Sequence, residues 1–458
     1  MAIGKITSKA LAAAAAMPPS GGTFTGDVIF QGNINGAYSL PTSDGTANQV
    51  LTTDGSGTIT FADAGGGGGG DPDLYRDSAS GATDPTATGT NSVAIGSDAQ
   101  ATSNNGSIAF GTQTRATANA NAAMGFQANA GGVGALAVGY TSHAASSWST
   151  ALGYNAKTAT GSSATALTKS YASGADSLAA AITNSTASYG ALGANSIAIG
   201  YQAKAEGGTN GSVAIGYNAH ATTREAVAIG SSAYADGSGS VALGGYFGTS
   251  VQARATGTAS FAVAGYNGLA NRDSTAAGLS SIALAGGYAQ QSQSVAIGAF
   301  AHANVRGKVA WSSYPLTYVN GVTQAGNYVL SNSTTDATAT VLVTDYEWAT
   351  PSTINQVVLP NNSCYGFTGT VIAREDSSAT NDFAVWEIKG GAVRAASAST
   401  TALGTYNINK ISESTGATNW SIALSADTTN GAVAITVTGE ASHNIRWVAT
   451  VNTTEVTY

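Results

Sequence analysis

The sequence predicts an all-β protein built as a fibre: a short N-terminal attachment segment, a parallel β-roll solenoid of about 14-residue repeats, and a C-terminal β-sandwich. Three observations lead there. The pentapeptide Ser92-Val93-Ala94-Ile95-Gly96 recurs with variation, its closing glycine returning at Gly111, Gly125, Gly139 and Gly153. Large residues alternate with alanine inside each unit, which is the period of a strand and not of a helix. Charged residues make up only 9% of the chain, against roughly 25% in ordinary globular domains. A fixed period this short excludes helix-pair repeats and marks a solenoid whose coils pack only on their neighbours.

Residues 1–20 read as a docking segment. Lys5 and Lys9 precede an alanine run whose only large side chains are Leu11 and Met17. The run is too weakly apolar for a good secretory signal, so a short helix stopped by Pro18-Pro19 is preferred over a cleaved leader. Residues 21–64 hold small β modules, with the stretches 24–32 and 49–55 giving short β-prone runs broken by Gly and Asp-Gly turns. Residues 65–91 form a hinge and linker that opens with six glycines, Gly65 to Gly70. No Lys-Ser/Thr follows them, so they are not a phosphate loop. Asp71, Asp73 and Asp77 lack the Gly and Glu of a calcium loop and read as solvated.

The repeats occupy 92–304. Thr168 and Thr183 stand where glycine is expected, and the pattern returns at Gly200, Gly216, Gly230 and Gly244. Two longer units close at Gly265 and Gly286, and Gly298 ends the fourteenth coil. Val and Ile are expected to fill each coil, Gly to turn it through a backbone angle a Cβ resists, and Ala to face outward. Stacked at ~4.8 Å, the coils would extend on the order of 65 Å. A roll this thin buries too little surface alone, so lateral association of three chains is expected.

Residues 305–458 lose the repeat and gain tryptophans. Strand-like runs at 340–343, 356–359, 370–373, 383–388, 433–437 and 445–451 suggest a sandwich. Asn430-Gly431 predicts a tight hairpin whose flanking runs pair. Trp386 and Trp447 lie in alternating strands and are assigned to the interior. Tyr346, Trp348 and Tyr365 are assigned to exposed loops as receptor contacts.

Little in the chain suggests chemistry. His143, His220, His302 and His443 stand apart without metal-ligand spacing, the first three in predicted solenoid turns. Glu347, Glu375, Asp376, Asp382 and Glu387 are the carboxylates from which a glycan-cleaving pair would have to come. Cys364 is the one cysteine and reads as a partly buried apolar residue. The 17 basic residues look scattered and the net charge is -8, so no basic stripe for nucleic acid or an anionic membrane is expected. No metal, cofactor or catalytic residue is predicted, and no window approaches the length of a membrane-spanning helix.

The Ser-Val-Ala-Ile-Gly units resemble the head-domain repeats of YadA-type trimeric adhesins, over about Ser92 to Ala303. That likeness implies a left-handed parallel β-roll with three chains abreast. The stretch from Tyr38 to Gly57 resembles a short module of phage fibre proteins. The stretches 357–360, 424–427 and 445–451 resemble a C-terminal domain of marine-phage structural proteins. Together these imply a non-enzymatic, homotrimeric bacteriophage fibre on the virion, tail favoured over head. Its N-terminus would dock on a tail or capsid protein, and its C-terminal domain on a host glycan or outer-membrane receptor. The adhesin resemblance also implies a coiled-coil stalk and a membrane barrel, which the sequence does not suggest. A head fibre, a secreted bacterial adhesin and a glycan depolymerase are the alternatives.

Overall fold

A computed structural model describes residues 41, 43, 45–47, 49–63, 83–103, 105–183, 187–244, 252–264, 273–313, 319–346, 349–376 and 381–458. The docking segment 1–20, the glycine run 65–70, Asp71, Asp73, Asp77, Glu347 and Trp348 lie outside the described residues. The chain divides into two units, Met1–Leu74 and Tyr75–Tyr458.

In the first unit, Gln49–Thr53 pairs antiparallel with Ile59–Asp63. The Asp54 carboxylate accepts the backbone N–H groups of Ser56 at 2.7 Å and Thr58 at 3.1 Å, which closes the Asp-Gly-Ser-Gly turn. Those bonds favour the ionised form and lower its pKa.

The second unit opens with a parallel β-solenoid. Each coil has a two- or three-residue strand followed by a three-residue strand, and both stack in register on the next coil, as Val213-Ala214-Ile215 does on Val227-Ala228-Ile229. The shorter strands form a 15-stranded parallel sheet from Thr86–Ala87 to His302–Ala303. Each is followed by a strand of the opposite sheet, the last being Val309–Trp311. Among the described residues the stack therefore has 15 coils, one beyond the unit that closes at Gly298.

The structure reverses the expected faces. The alanines of both sheets, such as Ala109, Ala137, Ala214 and Ala144, point inward and are fully buried. Val93, Ile108, Phe110, Ile229 and Ile297 point outward and are exposed. Between the paired strands the interior of one coil is too narrow for larger side chains, so alanine is the core at the strand positions and the aliphatic residues there are the surface. Where a serine precedes the longer strand of a coil, as at Ser149, Ser177, Ser196 and Ser294, it also turns inward. In these four coils the hydroxyl donates to the carbonyl three residues back, as in Ser149 to Ser146 at 2.6 Å and Ser177 to Gly174 at 2.6 Å, satisfying a buried turn.

Where a closing glycine is followed by another on the next coil, two features favour it. Gly139 has φ 128° and Gly216 φ 132°, angles that L residues resist. A Cβ on Gly139 would also lie 2.5 Å from the carbonyl oxygen of Gly153, and one on Gly216 would lie 2.6 Å from that of Gly230. Other corners tolerate side chains, because residues such as Asn155, Asn195 and Gln202 sit at φ 51–56° with no such clash required. Register places Ala181, Ala264 and Ala285 at the closing position, not Thr183, Gly265 and Gly286. The repeat is 13 residues long from Thr168 to Ala181.

The C-terminal strands are β1 (Thr323–Thr334), β2 (Thr340–Val341), β3 (Val357–Val358), β4 (Ser363–Glu375), β5 (Phe383–Arg394), β6 (Ala402–Glu413), β7 (Ser421–Asp427), β8 (Ala432–Thr438) and β9 (Ile445–Thr457). The last coil strand pairs antiparallel with β1, Val309 opposite Asn327. The sheet then continues through β9, β4, β5 and β6. A second antiparallel sheet joins β7 to β8, with β2 and β3 along the other side of β8. The two enclose one core that includes Tyr328, Leu330, Leu359, Trp386, Ile435 and Trp447. Trp386 and Trp447 are interior as expected, stacked 5.6 Å apart, and Trp447 Nε1 donates to Thr334 Oγ1 at 3.0 Å. β7 and β8 pair across the Asn430-Gly431 turn, where Gly431 has φ 73°.

Candidate interaction surfaces

The solenoid's outer face starts from the alternation in each coil strand. With Ala buried, the flanking residues stand in two outward columns, mostly Val, Ile and Leu, with Ala122, Thr150 and Thr165 among them. One residue beyond the closing glycine a third column adds aromatics. Phe126 stacks on Tyr140 at 5.1 Å, Tyr140 on Tyr154 at 5.4 Å, and Tyr201 on Tyr217 at 5.2 Å. Lys169 Nζ lies 5.4 Å from the Tyr154 ring centroid. All five rings are exposed.

This face does not end with the coils. Because β1 pairs directly with the last coil strand, the outward side continues across β1, β9, β4 and β5 with Val329, Val448, Ile372 and Val393 exposed. The outward face rich in aliphatic and aromatic side chains thus runs from the coils onto the C-terminal sheet, where Asn327, Asn452, Glu387 and Lys389 stand among them. Cys364 lies on it and is exposed, contrary to the buried setting expected, because it occupies an outward position of β4. A groove of about 660 Å³ on this side runs across β9, β4, β5 and β6. It is floored where Gly366 has no neighbour and flanked by Lys389, Asn407, Asn452 and the exposed Tyr406.

The predicted receptor contacts separate. Tyr346 is 73% exposed, but Tyr365 is 1% exposed and cannot meet a ligand in the folded chain. Tyr365 sits on the inward side of β4, opposite Glu455 of β9, because strand alternation turns it to the core. There it joins a buried polar cluster. Lys308 Nζ donates to Glu455 Oε2 at 2.8 Å, both side chains fully buried, and lies 5.4 Å from the Tyr328 ring centroid and 5.7 Å from that of Tyr365. Gln324 and Thr453 also donate to the Glu455 carboxylate, each at 2.6 Å. Burial opposes both charges. It lowers the Lys308 pKa despite Glu455, while Lys308 and the two donors overcome it to keep the Glu455 pKa low. Burial, with Glu455 adding to it, raises the Tyr328 and Tyr365 hydroxyls well above their ordinary range.

Three of the carboxylates considered for glycan cleavage are engaged with other side chains. Glu375 lies 2.9 Å from His443 Nδ1, Asp376 pairs with Arg446 at 2.8 Å, and Asp382 accepts from Ser414 at 2.6 Å. Glu387 faces outward between Thr370 and Asn409. Among the described residues no group of His, Cys, Asp and Glu could hold a metal ion. His143, His220 and His302 are not turn residues, as the spacing suggested, but half-buried first residues of short strands. Desolvation, followed by Lys157, lowers the His143 pKa. Desolvation and Lys204 lower that of His220. His302 is pushed down to about 4 by burial and then by Lys308.

The YadA head domain repeat (2 copies) matches residues 87–114, 130–156, 191–219, 210–232 and 221–246. These segments are YadA-like in fold, and the repeat is a non-catalytic, adhesin-type structural element. The matched segments cover about a quarter of the chain, all within the coils. No curated protein matches the sequence. Among the described residues no helix is long and apolar enough to cross a membrane.

Proposed function

We propose that the chain is a subunit of a homotrimeric attachment fibre in which three exposed aliphatic faces meet, leaving the opposite sheets outward. The observation that carries this is the outward face of the coils, rich in aliphatic and aromatic side chains from Val93 to Trp311, which a lone chain would leave in water. The match to an adhesin-type head repeat favours a cell-surface adhesin over a phage tail or head fibre, whose support is confined to sequence likenesses at 38–57 and in the C-terminal domain. Binding at the distal end, with Tyr346 and Trp348 as contacts, would gain from three tips held together. Light scattering on the full chain should give three times its 45.1 kDa mass. Ile215→Glu with Ile229→Glu, outward substitutions on adjacent coils, should release monomers that keep their β-sheet circular dichroism. A monodisperse wild-type monomer would overturn the assembly.

A further inference from the structure

We propose that the other face of the coils, the sheet of shorter strands, binds an acidic polysaccharide laid along the stack. The outward position of these strands forms one column. In register order it runs Gln100, Arg115, Asn129, His143, Lys157, Tyr171, then Gly190, Lys204, His220, Tyr234, Arg254, Thr275, Tyr288 and His302. No acidic residue occupies it. The cations Arg115, Lys157, Lys204 and Arg254 recur at every third coil, and His302 takes the next third place. They are scattered in sequence only because the repeat folds them into line.

At the usual strand spacing the cations stand ~14 Å apart. Flat rings lie next to them: Lys157 Nζ is 5.9 Å from the Tyr171 ring centroid, Arg254 is 5.4 Å from that of Tyr234, and Tyr288 stacks on His302 at 5.1 Å. Asp98, 3.6 Å from Arg115, and Glu206, 2.8 Å from Lys204, flank the column and partly neutralise those two. Among the described residues no ion pair engages Lys157 or Arg254, so these two are the strongest anion contacts.

Sparse charge separated by aromatic surface suits a sugar chain whose carboxylates are spaced by neutral rings, since the apolar face of a sugar packs on an aromatic side chain. It suits nucleic acid poorly. A DNA strand presents a phosphate about every 3.4 Å, and a chain of net charge -8 repels so dense a polyanion. The face is opposite the aliphatic one, so covering the latter leaves it free, and it does not depend on assembly.

The test is binding of the full chain to immobilised hyaluronan, which has one carboxylate per disaccharide, with polygalacturonate and duplex DNA as comparisons. Hyaluronan should be retained at ~50 mM salt and lose ~10-fold in affinity by ~200 mM. Lys157→Gln with Arg254→Gln should weaken binding by at least ~10-fold with scattering mass and melting temperature unchanged, while Arg446→Gln on the C-terminal sheet binds as wild type. The idea fails if neither polysaccharide is retained at low salt, if the double variant binds as well as wild type, or if DNA binds more tightly than both. A monomer that still binds through Lys157 and Arg254 would sink the assembly above and leave this face standing.

Discussion

At the scale of the residue, position within the coil decides what a substitution costs. Gly139→Ala forces a Cβ against the Gly153 carbonyl at φ 128°, and should cost about 1–3 kcal/mol or more in denaturant unfolding. Gly239→Ala, at φ 65° with open space around it, should cost only about 1–2 kcal/mol. In the buried cluster, Lys308→Met strands the Glu455 charge and should lose about 3–5 kcal/mol. Adding Glu455→Gln should recover much of that, and a double-mutant cycle reads the difference. His302 gives a pH dependence. Its folded pKa of about 4 lies below the ordinary 6.5, so below 6.5 the unfolded chain binds more protons. Stability is then complete above pH 6.5 and falls as pH drops toward 4. His302→Gln should flatten that part of the unfolding profile; an unchanged slope would show that another group is responsible.

At the scale of the element, the sequence revealed the alternation but not its orientation. Val-Ala-Ile assigns two faces to a strand, and only the width of the coil interior decides which is inside. The expectation that the larger residues fill the core failed for that reason. Ala151→Val, fully buried in the structure, should therefore overpack a coil and cost about 1–3 kcal/mol, whereas Val213→Ala, made in the Ile215→Glu, Ile229→Glu monomer whose outer face is uncovered, should leave the melting temperature nearly unchanged. The opposite result in thermal unfolding would restore the original orientation. β9 was legible because Ile445, Trp447, Ala449 and Val451 alternate with polar or exposed partners. β6 was missed because among the described residues it pairs with β5 alone and is largely exposed, so it carries no apolar period. The cation column was invisible because its members are about 40 to 50 residues apart. Aligning the repeats on the buried alanine of the shorter strand, as in Ala116, Ala144 and Ala205, would have brought it out.

At the scale of the whole second unit, the C-terminal domain is also a cap. A stack of coils ends in a row of unpaired backbone groups unless something covers it, and β1 pairs with the last coil strand. A chain truncated after Ser312 should therefore associate end to end, with a scattering mass that grows with concentration; a constant mass would show that the last coil needs no cover. The same geometry governs the response to tension. Hydrogen bonds between coils run along the stack, so a pull between its ends loads them in series and the outermost coil peels first. Each coil of about 14 residues releases ~50 Å of chain and gives up ~5 Å of stack height. Single-molecule stretching of one chain should then lengthen in steps of ~45 Å. A tether of this kind yields to flow by paying out line coil by coil, keeping its far end attached while the load passes.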